Sequence, residues 1–319
     1  MDPAVALLRT TLNTTALLAP RAAGRAAFEL FLRPLRRSRV RGTERDVHDR
    51  AVTGELTVNG KRVVVYRWGD GARPVLLLHG WQSRASRYAA FVPRLQALGL
   101  SPVAFDAPGH GDSGGRSTTI LEYRDVIRAL QETYGTFHSV IAHSFGVSCA
   151  YLALRDGVRA ERLVALAGVA EFGYLPAGFC ARLGLNARIE RDLRRRIEHE
   201  LFAGTANVWQ HFDATHDPAA VTPSTLVVHD EDDTVVGIGQ AHRLKAAYGD
   251  RLELITTRGL GHRRILADPA VIDNAIGFLA GDDLTGTHLT GTDLPGTDLT
   301  GTDLADTDLA GTDLEARTA

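Results

Sequence analysis

The chain has 319 residues, 44% hydrophobic and 23% charged, an ordinary globular composition long enough for one large core or two modest ones. Its formal net charge of -2 gives no sign of a nucleic-acid partner. Two cysteines, Cys149 and Cys180, make no disulfide framework, and Cys/His zinc spacings and histidine-rich metal motifs are absent, so neither a metal nor an organic cofactor is expected.

The first 50 or so residues form a basic, partly helical segment. Through Arg45, nine arginines stand against Asp2, Glu29 and Glu44, about +6. No clean apolar core follows a basic start, because Arg9 and several threonines interrupt the leucines. No signal peptide is therefore expected, no run reaches the roughly 18 residues that span a bilayer, and a cytoplasmic protein is the expectation. The stretch from Arg21 to Arg45 contains Phe28, Leu30, Phe31 and Leu32. It is expected to be a helix packed on the body with its arginines outward, ending near Leu32 because Pro34 cannot continue it. A weak contact with an acidic membrane surface is the alternative.

From about 51 to 280 short apolar runs alternate with helical patterns. Glu55–Val58 and Arg62–Tyr66 flank Asn59-Gly60, a hairpin signal because both turn positions accept positive φ. Strands follow at Val75–Leu78, Ser101–Phe105, Ser139–Ala142, Leu163–Leu166, Thr225–Val228 and Leu252–Ile255, with helices at Tyr88–Leu98, Ile120–Tyr134, Phe145–Arg155 and Gly239–Ala247. This alternation predicts an α/β fold: a mostly parallel sheet with an antiparallel N-terminal hairpin and helices on both faces. A last helix opens with Asp268 as N-cap and Pro269 behind it. Residues 170 to 220 break the pattern with an arginine-rich helix from Glu190 to Phe202, read as a small helical lid insertion. Arg194, Arg195 and Arg196 are read there as a solvated face paired along the helix, as Glu190 with Arg194.

From 281 to 319 the chain becomes an acidic five-residue repeat, nine acids against Arg317, about -8. Leu284, Leu289, Leu294, Leu299, Leu304, Leu309 and Leu314 recur every five residues. This tail resembles the pentapeptide-repeat family, which implies fewer than two coils here. So short a stack has little core, and the tail is expected to be disordered by itself.

The most informative feature is Ala142-His143-Ser144-Phe145-Gly146, between a strand-like and a helix-like run. It reads as a nucleophile elbow, a sharp strand-to-helix turn that exposes a serine hydroxyl. Ala142 stands where the usual pattern has glycine. With it come Leu76-Leu77-Leu78-His79-Gly80-Trp81, Asp106-Ala107-Pro108-Gly109-His110-Gly111-Asp112-Ser113, Val228-His229-Asp230-Glu231-Asp232-Asp233-Thr234-Val235-Val236, and Gly259-Leu260-Gly261-His262. In this order, over about 51 to 280, the motifs resemble those of the α/β-hydrolase superfamily. The resemblance implies the chain order nucleophile, acid, histidine: Ser144 as nucleophile, His262 as base and an acid that orients it. Aligning His229 and Val236 places the acid at Asp233, with Asp232 as runner-up; Asp230 stands where the family has glycine. The backbone N–H groups of Trp81 and Phe145 are the implied oxyanion hole, with His79 holding its loop.

A serine at the elbow points to acyl transfer. The expected function is hydrolysis of a carboxylic ester through a Ser144 acyl-enzyme, acting on a small-molecule acyl substrate. A thioesterase or carbon–carbon hydrolase would use the same three residues. An interaction protein on a hydrolase fold is the non-catalytic alternative.

Overall fold

The computed structural model describes residues 3–281, so the tail and its expected disorder lie outside the described residues. Eight strands, β1 (Val52–Val58), β2 (Lys61–Arg67), β3 (Pro74–Leu78), β4 (Ser101–Phe105), β5 (Phe137–His143), β6 (Ala160–Leu166), β7 (Ser224–Asp230) and β8 (Leu252–Thr257), form one sheet. Its order is β1-β2-β4-β3-β5-β6-β7-β8. Asn59 and Gly60 take φ of 51° and 72° and close the hairpin with Val58 opposite Lys61. β2 is antiparallel to both β1 and β4, and every other pair is parallel.

Residues of β3 alternate between two cores. Leu76 and Leu78 join Val103 and Phe105 on one face, where α5 (Ile120–Tyr134), α6 (Phe145–Arg155) and α10 (Gly239–Tyr248) pack. Val75 and Leu77 join Ala104 on the other, under α4 (Val92–Ala97) and α12 (Pro269–Ala280). Burial on both faces explains the unbroken apolar runs of the parallel strands. The chain winds from β3 outward to β4 in one direction and β5 in the other. The carboxyl ends of β3 and β5 therefore border the crevice where open α/β sheets bind ligands.

The segment read as one helix over Tyr88–Leu98 is a 3-10 turn at Ala85–Tyr88 followed by α4, because Pro93 starts a new helix and cannot bond back to the previous turn. Between β6 and β7 lie α7 (Tyr174–Leu183), α8 (Ala187–Arg196) and α9 (Val208–His211). Asn186 caps α8 by accepting from the N–H groups of Arg188 and Ile189, and a π turn at Ile197–Leu201 follows it.

The arginines of α8 are not one solvated face. Arg196 is buried between Asp192 and Glu200, Arg194 lies 4.0 Å over the Trp209 ring, and of these three Arg195 alone is exposed. The carboxylate partners of Arg195 and Arg196 are Asp192 and Glu200, and Arg194 makes no ion pair with Glu190.

The N-terminal helices α1 (Pro3–Leu18) and α2 (Pro20–Phe31) pack on this insertion. Leu12, Ala16, Ala23, Ala27 and Ile189 make a small separate core. Gly24 permits the approach, since a Cβ there would fall 1.8 Å from Asp192 Oδ2. Asn13 joins the two layers, donating to Gly184 O and accepting from Asn186 N–H, each at 2.9 Å. α2 ends at Phe31, three residues before Pro34. The short helix α3 (Gly42–Asp49) then leads into β1, and α11 (Gly261–Arg264) joins β8 to α12. Among the described residues no helix is long and apolar enough to cross a membrane. Both cysteines are buried free thiols.

Candidate active site

β5 ends at His143 and α6 begins at Phe145, leaving Ser144 alone to turn the chain, with φ 57° and ψ -122°. A non-glycine residue in that region costs on the order of 1–3 kcal/mol, so the surroundings must hold it. Ser144 N–H donates to Leu166 O at 3.0 Å, and Ser144 O accepts from Val147 N–H at 3.0 Å. Gly146 cannot be replaced, because a Cβ there would sit 2.5 Å from Leu78 O and 2.8 Å from His79 O. Ala142 is different. It occupies an ordinary β5 position between Leu78 and Ala165 and is fully buried, so its methyl group fills space that glycine would leave open.

The loop after β3 lies directly against the serine, since a Cβ on Gly80 would fall 2.7 Å from Ser144 Cβ. The N–H groups of Trp81 and Phe145 have no partner among the described residues. That of Phe145 is one of the donors every helix leaves free at its start, where the helix dipole is positive. The Trp81 ring is half-buried, edge-on to Phe145 with centroids 6.0 Å apart. His79 braces this loop. Its Nδ1–H donates to Gly80 O at 2.7 Å and its Nε2 accepts from Ala107 N–H at 3.0 Å. Burial pushes it down to about 4, so it is neutral, as that pair of bonds requires.

Ser144 Oγ lies 2.9 Å from His262 Nε2, and His262 Nδ1 lies 2.7 Å from Asp233 Oδ2. A carboxylate only accepts, so Nδ1 carries the proton and Nε2 is free to accept from the serine hydroxyl. Asp233 Oδ1 accepts from the N–H groups of Val235 at 2.8 Å and Val236 at 2.9 Å. Burial works to raise the Asp233 pKa, but the bonds from His262, Val236 and Val235 outweigh it and hold the carboxyl below its ordinary value. His229 steadies the same loop, its Nε2–H donating to Val236 O at 2.7 Å. Asp232 points elsewhere, to Gly259 N–H at 2.9 Å, and Glu231 pairs with Arg258. Arg263 and Arg264 are exposed, and Arg264 turns back onto the carbonyls of Gly259 and Leu260. Asp106 is structural: it accepts from Ala85 N–H, Asp112 N–H and the Tyr66 hydroxyl and faces Arg84.

Two residues beside the constellation escaped the sequence reading. Asp230, in the position the family gives to glycine, is fully buried. Its carboxylate accepts from Gly261 N–H at 2.9 Å, Leu260 N–H at 3.0 Å, Asp232 N–H at 3.0 Å and Thr257 Oγ1 at 2.8 Å. It ties the loop of Asp233 to the loop of His262. His143 Nε2–H donates to His262 O at 2.8 Å, and the two rings lie 4.7 Å apart. Burial first, and His262 second, push His143 down to about 3, so it stays neutral. The only signal for Asp230 was the departure itself, and for His143 its place before the serine. Among the described residues no cluster of His, Cys, Asp or Glu could hold a metal ion.

Residues 75–275 match the model described as alpha/beta hydrolase family, and residues 283–316 match pentapeptide repeats in eight copies. The chain is 31% identical over 139 residues to a serine hydrolase-like protein of Danio rerio, covering 39% of this chain and 41% of that protein. It is 32% identical over 100 residues to a monoacylglycerol lipase of Mycolicibacterium smegmatis, covering 28% and 36%. The chain thus spans roughly two fifths of the length of the curated relatives it matches. A solved esterase from Pyrococcus furiosus is similar in fold, with a TM-score of 0.58 at 20% identity over 77% of this chain and 97% of that one.

Proposed function

The chain belongs to the alpha/beta hydrolase family, and we propose that it is a serine hydrolase that cleaves a carboxylic ester through an acyl-enzyme on Ser144. The observation that carries this reading is the pair of bonds at 2.9 and 2.7 Å linking Ser144, His262 and Asp233, at the end of a strained elbow. Ser144 Oγ attacks the acyl carbon while His262 Nε2 takes its proton. Asp233 stabilises the imidazolium that forms. The N–H groups of Trp81 and Phe145 receive the oxyanion. The tetrahedral species collapses, the C–O bond to the alcohol breaks, and His262 returns the proton to the leaving oxygen. Water, deprotonated by the same nitrogen, then attacks the acyl-enzyme, and the acid leaves with Ser144 restored.

The test is hydrolysis of p-nitrophenyl esters from acetate to palmitate by the wild-type chain and Ser144→Ala, with fluorophosphonate labelling alongside. Turnover that falls about 10⁴-fold or more in the variant is the expected result, and the best chain length sizes the acyl site. Labelling without ester turnover would move the reading to a thioester or carbon–carbon substrate. Neither labelling nor turnover would replace it with a non-catalytic interaction protein.

A further inference from the structure

Six large hydrophobic side chains are exposed among the described residues, and four of them, Leu7, Leu17, Leu18 and Leu35, belong to the first 35 residues. Leu17 is 73% and Leu18 87% exposed. Leu7 and Leu18 stand eleven residues apart in α1, close to three full turns, so they share one outward stripe. Thr11 and Thr14 fill that stripe, and both are exposed. The opposite side of α1 is already spent on Leu12 and Ala16 in the contact with α8. α1 is therefore apolar on the side that packs and at both ends of the side that does not.

A cationic cavity begins at Pro20, two residues beyond Leu18. It measures ≈ 250 Å³ and is lined by Pro20, Arg21, Arg188, Arg191, Asp192 and Arg195, where the start of α2 meets the outer face of α8. Arg188 Nη1 donates to Ala16 O at 3.2 Å, which sets the cavity beside the end of α1. Asp192 offsets only one of the four cavity arginines, Arg195, because its other oxygen is committed to Arg196 outside the cavity lining. Arg21 and Arg191 make no ion pair among the described residues. Four guanidinium groups face one carboxylate, and the only other acid in the described part of α1 and α2 is Glu29.

A partner for this pole must be both anionic and apolar. A soluble phosphate would use the arginines and leave the leucines in water. The acidic tail carries leucines and aspartates as well, but mostly one aspartate in every five residues, a sparser charge than the sheet of lipid phosphates that four gathered guanidinium groups match. We propose that the α1–α2 corner docks on an anionic lipid bilayer: Leu7, Leu17 and Leu18 enter the boundary between headgroups and acyl chains, and Arg21, Arg188, Arg191 and Arg195 take lipid phosphates. Pro34, beyond the end of α2, is set against the β4 loop at Gly109. The far end of α2 thus reaches the carboxyl edge of the sheet, where Ser144 and His262 lie.

The test is co-sedimentation of the full chain with vesicles of phosphatidylcholine alone or with about one third phosphatidylglycerol. Binding to the anionic vesicles alone, weakened by salt near 0.5 M, is expected. Leu17→Ser/Leu18→Ser lowers partitioning roughly tenfold or more, and Arg191→Gln lowers it roughly fivefold. All three positions are exposed, so the melting temperature stays unchanged. Wild-type protein that remains in the supernatant overturns the proposal, as does binding that neither substitution changes. Stabilisation by inorganic phosphate that Arg191→Gln removes, without vesicle binding, would make the cavity a site for a soluble anion. A dimer in sedimentation equilibrium that Leu18→Ser dissociates, without vesicle binding, would make the face a contact between two copies.

Discussion

The loops at the carboxyl edge of the sheet and the helical layer of α1, α2, α7 and α8 both carry many charges, and they treat them in opposite ways. In the loops the two carboxylates nearest His262 are buried and answered mainly by backbone N–H groups: Asp230 by those of Asp232, Leu260 and Gly261, Asp233 by those of Val235 and Val236. A backbone donor has no rotamers to lose, so the charge is fixed where the fold puts it. In the helical layer charges meet charges. Arg25 with Glu29 is a largely exposed pair, and Arg195 is exposed in its pair with Asp192, each worth at most about 1 kcal/mol. Position is specified in the first region and only roughly in the second, which suits one to proton transfer and leaves the other free to evolve a surface.

If that contrast is right, damage in the loops should be severe and specific. Asp233→Asn keeps the shape but can present an amide donor to His262 Nδ1, favouring the wrong tautomer. kcat should fall about 10⁴-fold, and the melting temperature should drop only as far as the loss of a charged acceptor for Val235 and Val236 requires, checked by steady-state kinetics and thermal denaturation on the same sample.

Asp230→Asn should act next most strongly. Three N–H donors and the Thr257 hydroxyl lose a charged acceptor, costing about 2–4 kcal/mol, and loosening of the His262 loop should lower kcat about tenfold or more. The pH dependence separates this from generic destabilisation. The folded-state pKa of Asp230 is depressed below its ordinary 3.8; burial alone would raise it, and the bonds from Gly261, Thr257, Leu260 and Asp232 overcome that. Its contribution is therefore fully present above 3.8 and is lost as pH falls through the lowered folded value. Urea melts from neutral to acid pH should show the gap between wild type and variant constant at first and then closing below 3.8. A gap that is flat throughout would mean that the carboxylate charge is not what holds the two loops together.

The strands were legible in the sequence because burial on both faces leaves unbroken β-branched and leucine runs such as Val75–Leu78. The elbow was legible because Gly146 has no room for a side chain, a constraint that acts on residue type directly. Asp230 was not legible, since one aspartate in a run of four acids looks solvated until the backbone folds its donors around it. The lid arginines misled for the converse reason. Helical spacing gives the face a residue takes, but not what another segment lays upon it. Trp209 and Asp192 decide the fates of Arg194 and Arg196, and nothing in the local pattern announces Trp209.

Arg194 marks the soft end of the comparison. Its guanidinium stacks 4.0 Å above the Trp209 ring, and Nη1 donates to Gly173 O at 3.2 Å, so one side chain joins the start of α7, α8 and α9. Trp209 in turn packs on Phe172, with ring centroids 5.9 Å apart. Arg194→Met keeps the stem but loses the cation–π contact and the hydrogen bond, an expected cost of about 1–2 kcal/mol. Arg194→Lys keeps the charge without the flat face and should recover less than half of that. Neither variant should change kcat for a short acyl ester, because no loop of the Ser144–His262–Asp233 constellation rests on Arg194. If the insertion shapes the acyl site, KM for long esters should rise in Arg194→Met while the short esters are unaffected. A fall in kcat for the acetate ester as large as that of Asp230→Asn would show that the helical layer, too, holds the catalytic geometry.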